Sequence, residues 1–225
     1  MLMKCNYDQL GLEFVSRILN ENSLCLSRTR KGISDTSTSA EKRPLRLTGP
    51  ALKQRSAENE ARVHRLLMEI RHEPLPAHDS DVERWLFSIA DQTNDGLLPA
   101  GRFREWPVQN KVPPELIPQR LKEFCRSVHR RWPELEVDPV PLASWSEWQL
   151  NGGPIHPFYD GCGRIARSFG ALLLIRSLCL LPLFDSWESY FQGGAQGDEM
   201  FCQYYRERIQ ACARCHLNQP AGGEI

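Results

Sequence analysis

The run 163–181, GRIARSFGALLLIRSLCLL, constrains the fold more than any other stretch. After its first turn it is apolar on nearly every side. A helix of that pattern is stable only where neighbouring elements cover all of its faces. A chain of 225 residues, 41% of them hydrophobic and with nine Phe and six Trp, is large enough to supply such a core. Apolar spacings predict further helices at 7–20, 50–71, 79–91, 113–131, 138–150, 184–192 and 198–216. The first carries Leu10, Phe14, Ile18 and Leu19 on one face. The third carries Val82, Trp85, Leu86 and Ile89, with Asp79 or Ser80 as its cap. The segment 96–108 follows Asn94-Asp95-Gly96, contains Pro99 and Gly101, and reads as a hairpin or extended loop. The expected fold class is mainly α.

Charge and composition narrow the functions. The 28 basic and 28 acidic residues cancel, so no overall field points to nucleic acid or to a membrane surface. Residues 27–49 turn to Ser, Thr, Lys and Arg, with eight basic and two acidic residues between positions 26 and 55. This is read as a flexible basic linker rather than a nucleic-acid arm. The N-terminal residues lack the apolar core of a signal peptide, and the apolar run at 171–175 is interrupted by Arg176. The expectation is a cytoplasmic protein with no membrane span, whose eight cysteines are reduced thiols. Cys212-Ala213-Arg214-Cys215-His216 has the spacing of covalent haem attachment, and with Cys202 it offers zinc ligands. Without an export signal, both are set aside for a coincidence in a cysteine-rich helix.

The chemistry concentrates in Ile155-His156-Pro157-Phe158-Tyr159-Asp160-Gly161-Cys162-Gly163-Arg164-Ile165-Ala166-Arg167. It reads as a loop that delivers a His and an Asp to the start of the buried helix. Gly161 and Gly163 let successive amides turn outward at a positive helix end, an arrangement that binds anions. Arg164 and Arg167 are three apart and share one face of the first turn, where both reach a single polyphosphate. They are unfavourable at that helix end unless an anion compensates them. Asp160 offers a hard oxygen for Mg²⁺ bridging phosphates. His156 has the ordinary pKa range of a general base near neutrality. Phe158 anchors the loop inward.

These residues resemble the signature of the Fic/Doc (fido) family, His-Pro-Phe-x-Asp/Glu-Gly-Asn-Gly-Arg-x-x-Arg. Eight of its nine specified positions match between His156 and Arg167. Gly101-Arg102-Phe103-Arg104 resembles the Gly-x-aromatic-Arg element of the family's flap, residues 113–131 the helix after it, and Gly197-Asp198 with Phe201 the start of the C-terminal helix. The resemblance implies a helical core with a short β-hairpin flap and the transfer of AMP from Mg-ATP to a Ser, Thr or Tyr hydroxyl of a target protein. His156 would take the hydroxyl proton and Asp160 would hold Mg²⁺. The amides of Gly161, Cys162 and Gly163 would bind the α-phosphate, and Arg164 and Arg167 the outer phosphates. Gly101, Phe103 and Arg104 would belong to the surface that pairs with the target. Transfer of another phosphate-containing group and a nucleotide-binding module without turnover stand as alternatives; the Doc-type kinase pattern has Lys where Gly163 stands.

The departure is Cys162, where the family has Asn. A thiol is a weak donor, and loss of one oxyanion donor costs about 3 kcal/mol, about a hundredfold in rate. A thiol at a helix N-terminus is also expected to have a lowered pKa. A second family element, an inhibitory helix with the pattern Ser/Thr-x-x-x-Glu-Gly/Asn, resembles Ser56-Ala57-Glu58-Asn59-Glu60-Ala61, with Ala61 at the last position. There Glu60 would hold Arg167 away from the γ-phosphate; the other reading is a charged, solvated helix face. The expected division is an N-terminal helical segment at 1–26, the linker at 27–49, a Fic-like domain at 50–217 and a tail at 218–225.

Overall fold

The computed structural model describes residues 6–29, 49–98 and 103–216. Its α-helices are α1 Tyr7–Thr29, α2 Gly49–Ile70, α3 Asp79–Asn94, α4 Ile117–Arg131, α5 Glu134–Val137, α6 Val140–Leu150, α7 Cys162–Arg176, α8 Trp187–Ala195 and α9 Asp198–His216, with a 3-10 turn at Pro114–Leu116. The apolar run predicted to be most buried forms the central helix. α7 packs against α2, α3 and α6, and α6 packs in turn on α9. Leu172, Leu173, Leu174 and Ile175 are fully buried. Each such side chain contributes about 1.5–3 kcal/mol relative to exposure.

α7 ends at Arg176, five residues before the expected end. Leu178 adopts a left-handed conformation (φ 56°). The Leu178 amide then donates to Ile175 O (3.1 Å) and the Cys179 amide to Leu174 O (2.9 Å), which is the Schellman closure of a helix C-terminus. Arg176 is drawn sideways over the rings of Trp85 (4.7 Å) and Trp132 (5.4 Å). There it donates to Glu73 O (3.0 Å) and Pro74 O (3.1 Å). The hydropathy of the run continues to Leu181, but the continuation is irregular, with Leu178 exposed and Cys179, Leu180 and Leu181 buried.

α1 is longer than its periodicity predicts and is part of the same core. Gly11 (φ 69°) kinks it, and Phe14, Val15, Ile18 and Leu19 are buried beyond the kink. It packs on α2 and α8. Tyr7 OH donates to Cys179 O (2.6 Å) and Asn22 Nδ2 to Pro182 O (2.8 Å), while Asn22 Oδ1 accepts from the Phe184 amide (2.8 Å). The proposed boundary after residue 26 falls inside this helix. The remainder of the linker, 30–48, and the tail lie outside the described residues. At α3 the N-terminal amides of Ala77 and His78 are held by the Asp81 carboxylate (3.0 and 3.1 Å), so Asp79 and Ser80 lie within the helix instead of capping it.

The expected hairpin is not formed among the described residues. Gly101 lies outside them. From Phe103 onward the chain makes one antiparallel bridge, Phe103 to Phe158. The amides of Arg104 and Val112 donate to Pro157 O (3.0 Å) and Pro154 O (2.8 Å). These two amides are thus engaged with the loop that enters α7. No described helix is long and apolar enough to cross a membrane. Of the cysteines in the C-x-x-C-H motif, Cys212 is buried and Cys215 exposed. No group of three metal-ligating side chains occurs among the described residues.

Candidate functional site

The loop between α6 and α7 reverses direction at Gly161, whose φ of 75° belongs to the left-handed region. A Cβ there would stand 3.0 Å from Asn94 Oδ1, so conformation and space both favour glycine. Gly161 O accepts from the Ile165 amide (2.8 Å) as the first bond of α7, and no side chain caps the helix. Its leading amides therefore have no intrahelical acceptor and stand at the positive end of a fifteen-residue helix. Phe158 is buried against Phe87 and Phe103, with ring centroids 6.5 and 6.1 Å away, and anchors the loop as expected.

His156 is half-buried and has a left-handed backbone (φ 42°), a strained geometry for a non-glycine residue that surrounding contacts must maintain. Its Nδ1 lies 2.9 Å from the carbonyl oxygen of Asn151. A carbonyl only accepts, so this contact assigns the proton to Nδ1 and leaves the lone pair on Nε2. Asn151 is the C-cap of α6, and its carbonyl stands at the negative end of that helix. The same contact therefore stabilises the imidazolium that forms when Nε2 gains a proton.

Arg104 is 2% exposed and lies behind this loop. Its Nε donates to His156 O (2.8 Å), and its terminal nitrogens to Trp106 O (2.9 Å), Ile155 O (3.3 Å) and Val112 O. Lys111 Nζ donates to Gly153 O (2.7 Å) and to Gly152 O. Burial pushes the pKa values of both cations down. Phe103 and Arg104, expected at a target-binding flap, act here as braces of the His156 loop, because the guanidinium is enclosed by main-chain carbonyls.

Asp160, Arg164 and Arg167 converge at the mouth of α7 with α2. Arg164 lies 3.4 Å from the Asp160 carboxylate and donates to Ser56 Oγ. Glu60, one turn along α2, acts electrostatically on both arginines; burial raises its pKa, and Arg164 and then Arg167 lower it. Among the described residues no close ion pair joins Glu60 to Arg167, so the direct partner of the Ser56/Glu60 helix is the first arginine, through the serine. Glu60, His64, Thr93, Arg164, Arg167 and Ser168 line a cavity of about 20 Å³ closed by Leu19, Asn22 and Ser23 of α1, room for about one water. His64 is buried, and desolvation lowers its pKa to about 4.

Cys162 faces away from the outward amides. Its sulfur accepts from the Phe158 amide (3.2 Å) and lies 3.4 Å from Phe158 O. Burial pushes the thiol up to about 12, the reverse of the lowered value expected at a helix N-terminus, because desolvation outweighs the helix field. The side chain at 162 closes the loop on itself.

Sequence reasoning missed Asn151, Lys111 and the role of Arg104. The one signal for the first was Asn151-Gly152-Gly153-Pro154 read as a helix stop, since the residue that ends a helix leaves a carbonyl free.

No family model and no curated protein matches the sequence. Solved structures do. The chain is similar to IbpAFic2 at 18% identity and a TM-score of 0.56, with 94% of this chain and 66% of that one covered. It is similar to Fic-1 from C. elegans at 19% identity and a TM-score of 0.56, over 92% and 61%. To a Fic family protein from Desulfovibrio desulfuricans it is similar at 14% identity and a TM-score of 0.59, over 95% and 70%. The chain thus spans less than two thirds of the first two. The similarity to all three, over more than 90% of this chain in each case, shows that the chain has the Fic fold.

Proposed function

We propose that the chain transfers AMP from ATP to a Ser, Thr or Tyr hydroxyl of a target protein. The observation that carries this reading is the contact between His156 Nδ1 and Asn151 O at 2.9 Å. It leaves Nε2 as the basic atom of the ring. In the reaction Nε2 takes the hydroxyl proton, the freed oxygen attacks the α-phosphorus, and the bond from phosphorus to the pyrophosphate oxygen breaks. The amides of Gly161, Cys162 and Gly163 bind the charge that develops on the α-phosphate, and Arg164 and Arg167 bind the departing pyrophosphate.

Asp160 is the group that would hold Mg²⁺. One carboxylate beside a phosphate cradle suits an ion that keeps waters and phosphate oxygens as its other ligands. When bound, the ion supplies charge neutralisation to the pyrophosphate. The fold is compatible with transfer of other phosphate-containing groups; the uncapped amides at the start of α7, in the same loop as the base, support attack at the α-phosphate.

The contact of Arg164 with Ser56 and the small cavity beside Glu60 support a second part of the reading: α2 restrains the arginines and keeps the outer phosphates of ATP out of a productive pose. Incubation of the protein and a cell lysate with ATP labelled at the α-phosphate should label protein bands absent from the lysate alone, whereas label at the γ-phosphate should add none to those of the lysate alone. His156→Ala should abolish labelling and leave ATP affinity within about twofold by calorimetry. Equal labelling by wild type and His156→Ala would overturn the assignment of the base.

A further inference from the structure

Outside the catalytic loop, the most unusual group in the core is Glu147. It is fully buried on α6, where an uncompensated carboxylate costs several kcal/mol. Tyr190 OH from α8 and Tyr205 OH from α9 each donate to one of its two oxygens. Each carboxyl oxygen thus accepts one O–H. Burial raises the pKa of Glu147, while Arg167 and the two hydroxyls lower it.

A hydrophobic trio at this junction of α6, α8 and α9 would hold the helices together at lower cost, so packing alone does not account for the polar one. Beside the electrostatic action of Arg167, one hydrogen bond leads out of the cluster among the described residues: Asn151 Nδ2 donates to Tyr190 OH at 3.0 Å. The same Asn151 offers its main-chain carbonyl to His156 Nδ1 at 2.9 Å. Its Oδ1 lies 3.4 Å from the point that a Cβ on Gly163 would occupy. The Asn151 amide donates to Glu147 O at 3.0 Å. The residue is therefore held by its amide and its side chain, and the one main-chain group that remains is the carbonyl that addresses His156. Gly152 and Gly153 follow directly, and without a side-chain anchor a C-cap next to two glycines has little to fix the direction of its carbonyl.

We propose that Glu147 and Tyr190 are positioning residues that act through Asn151 to fix the tautomer and orientation of His156. The proposal rests on the reading of His156 as the base. Glu147 orients Tyr190 OH, Tyr190 OH orients the Asn151 side chain, and the Asn151 carbonyl holds the proton on Nδ1 so that Nε2 faces the incoming hydroxyl.

The test compares wild type, Tyr190→Phe, Asn151→Ala and their double variant with Tyr7→Phe. Tyr7→Phe removes a buried tyrosine hydrogen bond elsewhere in the core, the one to Cys179 O at 2.6 Å. Two readouts are taken: steady-state transfer, and the histidine ring nitrogens by NMR on protein labelled with ¹⁵N-histidine. Tyr190→Phe and Asn151→Ala should each lower kcat about tenfold with KM for ATP within twofold. They should also convert the single Nδ1-protonated form of His156 into a tautomer mixture. The double variant should lose no more than either single one, because both break one chain. Tyr7→Phe should leave kcat and the His156 signal unchanged. Asn151 is half-exposed, so its truncation spares the core should Tyr190→Phe fold poorly. A His156 signal in Tyr190→Phe and Asn151→Ala identical to wild type would overturn the proposal. So would losses that simply multiply in the double variant. Should wild type transfer no nucleotide, the reading of the activity fails, and the histidine spectra alone decide the positioning role.

Discussion

Arg104 Nε donates to the carbonyl oxygen of His156 at 2.8 Å, which ties a buried cation to the residue with the strained, left-handed backbone. The other guanidinium nitrogens engage the carbonyls of Trp106, Val112 and Ile155. One side chain thus joins the segment after residue 103 to the loop before α7.

Arg104→Leu should destabilise the protein by roughly 3 kcal/mol or more, because buried acceptors left unmatched cost about 1–3 kcal/mol each. Arg104→Lys should recover only part of this, since an ammonium has three donors and lacks the planar fork. Urea unfolding of the three proteins measures the difference. An Arg104→Leu variant within about 1 kcal/mol of wild type would mean that the loop is held by other contacts.

The second expected outcome concerns restraint by α2. Ser56→Ala frees Arg164 from its hydroxyl partner, and Glu60→Gly removes the carboxylate that acts on Arg164 and Arg167. Both variants should raise labelling from α-labelled ATP, Glu60→Gly by about tenfold or more, the scale of a charge interaction of about 1.4 kcal/mol. Glu60→Gly should lose about 1 kcal/mol of stability from glycine within a helix. Unchanged labelling in both would remove α2 as a brake.

The third concerns acid. His64 is 5% exposed, and its pKa falls from 6.5 to about 4 on folding. Between those values the unfolded chain carries the proton and the folded one does not, so stability falls as pH drops from 6.5 to about 4 and is fully present above 6.5. The gap corresponds to about 3 kcal/mol. Urea unfolding at pH 7 and pH 4.5 should show wild type losing more stability than His64→Leu, by about 2–3 kcal/mol. Equal losses would place the titration elsewhere.

Much of the fold was legible because burial leaves a periodic trace. Trp85 and Ile89 on α3, and Leu172 to Ile175 on α7, lie where their spacing predicted. Helix ends were less legible. α7 stops at Arg176 because Leu178 takes a left-handed turn and Arg176 finds Trp85 and Trp132, and neither ring is near it in sequence. The flap was expected from Gly101-Arg102-Phe103-Arg104, whose side-chain types do not reveal that Arg104 would turn inward.

By itself, the sequence determined that the chain is mainly helical, that one helix lies at the centre, and that His156 lies in the loop leading to its start, where Asp160, Arg164 and Arg167 converge. These follow from hydropathy and from spacings of a few residues, which local geometry converts directly into proximity. Tertiary structure alone decided what each of those side chains meets: Asn151 O for His156, Ser56 for Arg164, and four carbonyls for Arg104. Most of those partners are main-chain carbonyls, which every residue carries alike. Which carbonyl is left unpaired, and which way it points, depends on where helices end and how they pack.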